Sequence, residues 1–355
     1  MRKIYGSRRF GFNVGTPPLG CQICFSGASI VIFITGKCND TCYYCPIGFD
    51  RRNKDVVFVD DEPVSSIQSV LEEAYAVKAK GAAITGGDPL LSLDKTITVI
   101  DLLKNEFGNS FHIHLYTSGR YADRQALKAL DRAGLDEIRF HPVDERYLKR
   151  IETAIRETSM HVGVEVPAIP GSLEWLKKLA RFLEQVGGEF MNINELEVSE
   201  SNIEALSKRG FNVSNDGVSV KGSYETAMEF IKWALRNIEK VNIRFCPASY
   251  KDFYQMRNRF IRKASIIGRA YEKYTFSGTL QVIEAKVSKT SNGEHCLKYY
   301  EVYGLEEDII RLHPDEDVWK LLEEQCINEP VLIEYYPRLR GRFILQKMFL
   351  EKQST

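Results

Sequence analysis

The stretch Ile30-Val31-Ile32-Phe33-Ile34-Thr35-Gly36-Lys37-Cys38-Asn39-Asp40-Thr41-Cys42-Tyr43-Tyr44-Cys45-Pro46 decides the fold. Its opening run is apolar and mostly β-branched, which reads as a buried strand. Cys38, Cys42 and Cys45 follow at C-x₃-C-x₂-C spacing, so they sit on a loop leaving that strand. Three thiolates on one short loop hold three corners of a cubane iron–sulfur cluster; an electron-transfer cluster would use a fourth cysteine. None lies close by, so one iron keeps an open site for a chelating ligand. A zinc knuckle would need four ligands in paired spacing.

Downstream the chain alternates between strand and helix patterns. Val64, Ile67, Val70, Leu71, Ala74 and Val77 mark an amphipathic helix ending at Gly81. Residues 82–85 form a second strand, broken by Gly86-Gly87-Asp88-Pro89. Further strands are expected over 111–117, 137–140, 161–166 and 190–196, with helices over about 93–107, 122–133, 144–158 and 173–186. A helix over 224–238 follows, then a short strand, 241–245, at the edge of the sheet. Val56-Val57-Phe58-Val59 offers an extra strand. Six β/α units imply parallel pairing and right-handed crossovers. They are too few for a closed eight-stranded barrel and leave an open partial barrel or a doubly wound sheet.

One face of these strands is polar. His112, His114, Tyr116 and Ser118 alternate with Phe111, Ile113 and Leu115. Glu137, Arg139 and His141 alternate with Ile138 and Phe140; Glu165 stands opposite Val162, Val164 and Val166; Asn192 and Asn194 oppose Met191 and Ile193. A parallel strand packed on both faces is ordinarily apolar throughout. The expectation is a partly wet interior facing a ligand, with satisfied core polar residues as the alternative.

The cluster-type spacing, with Tyr44 before the last cysteine, resembles the loop of the radical S-adenosylmethionine (SAM) superfamily. In that family the open iron binds the amino and carboxylate groups of SAM. One electron then cleaves SAM to methionine and a 5′-deoxyadenosyl radical, which takes a hydrogen atom from a substrate. The resemblance selects the partial (β/α)₆ barrel, over about Ile30 to Lys240. It implies Cys38, Cys42 and Cys45 as ligands of a 4Fe-4S cluster. Gly86-Gly87-Asp88-Pro89 resembles the family's glycine–glycine–glutamate–proline turn, whose backbone meets the methionyl amino group; Asp88 replaces the glutamate. Tyr44, Gly86, Gly87, Asp88, Ser118, Arg139 and Glu165 are the implied SAM-binding residues, with an ion pair as the other role for Arg139. His112, His114, Tyr116, His141, Asn192 and Asn194 are candidates to orient substrate or move a proton. The phrases 84–90, 111–117, 136–142 and 192–197 are similar to an archaeal group related to pyruvate formate-lyase activating enzymes. That resemblance names no substrate.

The remaining cysteines are Cys21 and Cys24, at C-x-x-C spacing in an irregular lead-in, Cys246 before Pro247, and the isolated Cys296 and Cys326. Cys21, Cys24 and Cys246 form a candidate second metal site. After Tyr250 the composition shifts. Lys251, Arg257, Arg259, Arg262, Lys263, Arg269 and Lys273 are interleaved with aromatic residues, which suits either an anionic substrate such as RNA or a solvated helix face. Strand patterns over 276–286, 298–303, 331–336 and 342–350, and a helix over 315–325, read as a small α+β domain. The organisation expected is therefore 1–29 lead-in, 30–248 barrel and 249–355 substrate or cover domain.

The chain has 355 residues and formal net charge +0, a size for one or two domains with no global nucleic-acid footprint. No apolar run approaches a membrane span, and the basic N-terminus has no apolar segment behind it. Eight cysteines, three in one cluster-type loop, suit a reducing cytoplasm. The expected partners are ferredoxin or another one-electron donor and a substrate: small molecule, protein or RNA. Two alternatives stand beside this: a radical SAM enzyme modifying RNA through Arg257, Arg259 and Arg262, and a non-enzymatic iron–sulfur or zinc module.

Overall fold

A computed structural model describes residues 2–64, 66–288, 303–306 and 308–350. The chain divides into two compact units, one formed by Met1–Tyr75 and Ala79–Met256, the other by Ala76–Lys78 and Arg257–Thr355.

The first unit is built on an 11-stranded sheet. The first strands are β1 (Ile4–Ser7), β2 (Gly11–Val14) and β3 (Ser29–Phe33), with helix α1 (Leu19–Phe25) between β2 and β3. β4 (Phe58–Val59) and β5 (Glu62–Pro63) follow, then β6 (Gly81–Thr85), β7 (His112–Thr117), β8 (Glu137–Phe140), β9 (His161–Ala168), β10 (Phe190–Glu195) and β11 (Asn242–Cys246). Their order is β1-β2-β11-β10-β9-β8-β7-β6-β3-β4-β5. Every neighbouring pair from β11 to β3 is parallel, so seven parallel strands form the centre rather than six. β11 is not at the edge: β2 pairs with it antiparallel. The lead-in expected to be irregular forms the β1–β2 hairpin and α1.

The crossover helices follow the apolar periodicity. α2 is Ser69–Ala76, shorter than its pattern; α3 is Leu93–Phe107, α4 Arg124–Arg132, α5 Leu148–Glu157, α6 Leu173–Val186, α7 Ile203–Ser207 and α8 Ser223–Asn237. In α6, Leu176, Leu179, Ala180 and Leu183 recur at helical spacing and are fully buried, and Gly187 ends the helix in the left-handed conformation. The outward faces of the strands supply their partners, with Ile113, Leu115, Ile138, Phe140 and Val164 completely covered.

The second unit is an antiparallel sheet of β12 (Lys273–Tyr274), β13 (Leu280–Val287), β14 (Tyr303–Glu306), β15 (Ile309–Leu312), β16 (Ile327–Tyr335) and β17 (Ile344–Phe349). Helices Arg257–Ile267 and Val318–Glu323 accompany it. The expected strand over 298–303 lies outside the described residues except for Tyr303, and Cys296 lies outside them too. Cys326 is buried and disulfide-bonded rather than an isolated thiol.

Candidate functional site

Parallel α/β sheets bind ligands beyond the carboxyl ends of their strands, and the cysteine loop and the glycine turn meet there. The ladder between β3 and β6 continues past both strands: Ile34 N–H donates to Thr85 O at 2.9 Å, Gly87 N–H to Thr35 O at 2.7 Å and Asp88 N–H to Lys37 O at 2.8 Å. This contact requires both glycines. A Cβ at Gly86 would stand 2.4 Å from Thr35 O, and one at Gly87 2.2 Å from Lys37 O. Gly36 is equally confined, with Arg51 O at 1.7 Å from its Cβ position. The start of the cysteine loop is thus clamped between the Gly86–Gly87 turn and residues 51–54.

Its far end is held differently. Tyr43 stacks on Phe211 at 6.4 Å with Arg209 over its ring, and Tyr43 and Tyr44 pack on Leu196, Leu206 and Val220. Asn202 Nδ2 donates to Tyr44 O at 3.0 Å, and Arg52 Nη2 to Cys45 O at 2.7 Å. Arg120 Nη1 reaches Asn39 O at 2.7 Å. Tyr44 joins the loop to the sheet: its hydroxyl is 2.9 Å from His141 Nε2, and His141 Nδ1 is 2.9 Å from Glu165 O. Burial lowers the His141 pKa, so the neutral ring donates from Nδ1 to the carbonyl and accepts the Tyr44 hydroxyl at Nε2.

Cys38, Cys42 and Cys45 are partly exposed. Burial raises the Cys38 and Cys42 thiols, Cys42 to about 11. Among the described residues no three cysteine, histidine or acidic side chains are gathered at metal-binding geometry. As a donor set the loop thiols still fit three corners of a cluster. Arg52, part-buried, adds positive charge by Cys45, and its Nε is buried without a hydrogen-bond partner among the described residues.

Asp88 is almost fully covered, and its carboxylate is engaged inside the protein. It accepts from Leu90 N–H at 3.0 Å, Thr117 Oγ1 at 3.0 Å, Ser118 N–H at 3.2 Å and Ser118 Oγ at 2.8 Å. It therefore caps the short 3₁₀ turn Pro89–Ser92 and ties the end of β6 to the end of β7.

The polar face is networked, buried at one set of residues and part-exposed at Tyr116, Ser118, His141, Glu165 and Asn194. His112, His114, Glu137, Arg139 and Asn192 are each under 5% exposed. Arg139 pairs with Glu137 through Nε and with Glu165 at 2.9 Å, and donates to Tyr116 Oη at 3.0 Å. Glu165 also accepts from Asn192 at 3.0 Å and Asn194 at 2.9 Å; His112 Nε2 lies 3.2 Å from Glu137. Burial opposes ionisation of Glu137, but the Arg139 charge outweighs it and holds the carboxyl well below its ordinary value. The cover is α1, packed on β3, β6 and β7. Gly20 N–H faces Glu137 at 3.4 Å, and a Cβ at Gly20 would stand 2.6 Å from Arg139 Nη2 and 2.7 Å from His114 Nδ1.

Cys21 Sγ is 3.4 Å from Asn192 Nδ2, Cys24 lies one turn along α1, and Cys246 pairs with Asn194 in register. They share the same interior but are not gathered as a metal site. The basic stretch turns inward in part: Arg259 and Lys263 are buried, Arg257 lies over the Phe276 ring and donates to Phe276 O at 2.7 Å, and Arg262 donates to Val77 O and Lys78 O, while Arg269 and Lys273 stay exposed. No helix among the described residues is long and apolar enough to cross a membrane.

Arg52, Arg120, Tyr43, Asn202 and Gly20 escaped sequence reasoning. Arg51-Arg52 directly after the cysteine loop was the one signal, since cations beside a thiolate set are chemically apt.

A parallel sheet carrying a three-thiol loop pinned to a glycine turn defines a class of cluster-dependent enzymes. The family model described as "Radical SAM superfamily" matches residues 32–233, more than half of the chain, and the chain belongs to that superfamily. It is accordingly an enzyme that works with a 4Fe-4S cluster and SAM. It is 41% identical over 280 residues, 76% of this chain and 73% of the relative, to the "Putative glycyl-radical enzyme activating enzyme" of Methanocaldococcus jannaschii. It is 29% identical over 127 residues, 35% of this chain and 33% of the relative, to the PqqA peptide cyclase of Gluconobacter oxydans. The crystal structure of Streptococcus suis SuiB bound to S-adenosylmethionine aligns with a TM-score of 0.45 at 9% identity, covering 61% of this chain and 50% of that one. The chain thus spans about half the length of that structure.

Proposed function

We propose that Cys38, Cys42 and Cys45 hold the 4Fe-4S cluster, that SAM sits on the Gly86–Gly87 turn, and that the enzyme abstracts hydrogen from a substrate at the carboxyl ends of the strands. The observation that carries this is the backbone clamp joining the cysteine loop to the glycine turn, with Gly87 N–H to Thr35 O at 2.7 Å. It holds the start of the thiol loop, which leaves β3, against the turn that leaves the adjacent strand β6, so the residues that would hold the cluster and the backbone that would meet SAM leave neighbouring strands. When bound, cluster and SAM supply the one-electron chemistry that yields a 5′-deoxyadenosyl radical. The chain's own residues do the rest. Gly86 and Gly87 let backbone approach the methionyl end. Tyr44, oriented through neutral His141, sets the far wall of the site. Asp88 positions the ends of β6 and β7 rather than offering its carboxylate, and Ser118 is shared with it. Arg139 and Glu165 neutralise one another beneath the site.

The relative's name points to the substrate class, a backbone glycine of a partner protein. A ferredoxin-type donor supplies the electron. The arginines at 257, 259 and 262 lend no support to RNA as the target, because their guanidinium groups are spent within the second unit or covered.

The test is anaerobic. Protein reconstituted with iron and sulfide is given dithionite and SAM, and 5′-deoxyadenosine is measured beside the Cys38→Ala/Cys42→Ala/Cys45→Ala variant. Product from the wild type alone, or a wild-type cluster spectrum perturbed by SAM, supports the assignment. Iron bound equally by wild type and variant overturns it.

A further inference from the structure

At the β11 end of the same unit, away from the cysteine loop, lies a cavity of about 290 Å³. Phe10, Asn13, Pro17, Cys21, Phe25 and Arg244 line it, from the β1–β2 hairpin, α1 and β11. Arg244 is the unusual member. It is only 7% exposed, yet the described residues give it no carboxylate. Its Nη1 donates to the Asn13 carboxamide oxygen at 3.0 Å, and its guanidinium lies 5.5 Å from the Tyr250 ring centroid. The titratable groups around it are thiols and a phenol, Cys246, Cys21, Tyr250 and Cys24, and burial holds the Cys21, Cys246 and Tyr250 groups in their neutral forms.

A guanidinium carries five N–H donors, and Asn13 takes one. Arg139, on the same face of the sheet, shows the usual arrangement: it is flanked by Glu137 and Glu165. Burying a cation without a counter-charge is costly, and a fold keeps such a group where an anion arrives from outside. The walls show what accompanies the anion. Phe10, Pro17 and Phe25 are apolar, and Asn13, its oxygen turned to Arg244, keeps the two N–H donors of its carboxamide. The volume is at the lower limit for ligand pockets, so the guest is small.

We propose that this cavity binds a small organic acid, its carboxylate forked on Arg244 and its apolar body against Phe10, Pro17 and Phe25. The site is separate from the SAM assignment, so its occupancy is measured without SAM or reductant.

Benzoate is the probe, titrated calorimetrically into cluster-loaded full-length protein, with benzamide as the neutral isostere and inorganic phosphate as the bare anion. Wild type is expected to bind benzoate with a Kd of about 1 mM or tighter, and benzamide and phosphate at least about tenfold more weakly. Arg244→Gln is expected to lose about tenfold or more in benzoate affinity, and Arg244→Lys, which keeps the charge but not the fork, an intermediate amount. Gln22→Trp, at the cavity wall, leaves Arg244 in place and is expected to weaken benzoate comparably by filling space. Its thermal unfolding shows whether the fold survives independently of Arg244. Absent benzoate binding to wild type, equal binding of benzamide or phosphate, or wild-type affinity in a folded Arg244→Gln or Gln22→Trp variant would each overturn the proposal.

Discussion

Gly87 lies so close to Lys37 that a Cβ on the glycine would stand 2.2 Å from the lysine's carbonyl oxygen. Backbone cannot yield at that distance as a flexible side chain would, so the cysteine loop and the glycine turn move as one piece.

Gly87→Ala is expected to displace residues 35–38 rather than unfold the protein. Stability should fall by about 1–3 kcal/mol. Cluster occupancy and SAM affinity should fall more, SAM by about tenfold or greater. Iron and sulfide analysis with SAM titration of the reconstituted variant checks this; undiminished occupancy and affinity would break the link between turn and loop.

Gly20→Ala tests the cover over the polar face. Its methyl would press on Arg139 Nη2 and His114 Nδ1 at 2.6 and 2.7 Å. The expected cost is about 1–3 kcal/mol, read from urea unfolding. Loss of α1 packing should appear as faster hydrogen exchange at residues 19–25.

Arg139→Met leaves Glu137 and Glu165 buried without their shared cation, at an expected cost of about 3–5 kcal/mol. Adding Glu137→Met should recover part of that loss, because it removes the buried charge left behind. A double variant no more stable than the single one would show that Arg139 acts chiefly by packing.

His114 sets an acid limit on stability. Burial, reinforced by Arg139, lowers its folded pKa well below the ordinary 6.5. The unfolded chain therefore takes up the proton first. Its contribution is full above the unfolded pKa and is lost as pH falls toward the folded value, by about 1.4 kcal/mol per pH unit. Urea unfolding at pH 7.5 and 5.5, compared with His114→Gln, should show a shallower acid loss in the variant.

The Asp88 carboxylate holds the end of β7 through Thr117 and Ser118. Asp88→Ala should cost about 1–3 kcal/mol by leaving buried donors unpaired. Asp88→Asn, which keeps an acceptor for Leu90 N–H, should cost less. Equal losses would mean that the charge, not the cap, is what matters.

Much of this was legible in the residues. The Ile30–Thr35 run, the repeated apolar spacing of the helices and the turns after each strand determined a parallel α/β unit, because burial and backbone pairing act through local periodicity. The cysteine spacing and Gly86-Gly87 were legible for the same reason: their partners are close in sequence or on adjacent strands. The hairpin and α1 were not, since Leu19–Phe25 has neither a long amphipathic pattern nor a side-chain cap. Its helix is held by what it covers, not by propensity.

Period-two alternation correctly set His112, His114, Glu137, Arg139, Glu165 and Asn192 on one face; it could not say what lies over that face. Only the tertiary structure decided that the helix Leu19–Phe25 covers part of it, that Arg139 is matched by Glu137 and Glu165, and that Arg244 faces a cavity with no carboxylate partner among the described residues. Glu165 stands 26 positions from Arg139, Gly20 117 from Glu137 and Asn13 231 from Arg244, and no local pattern carries those distances.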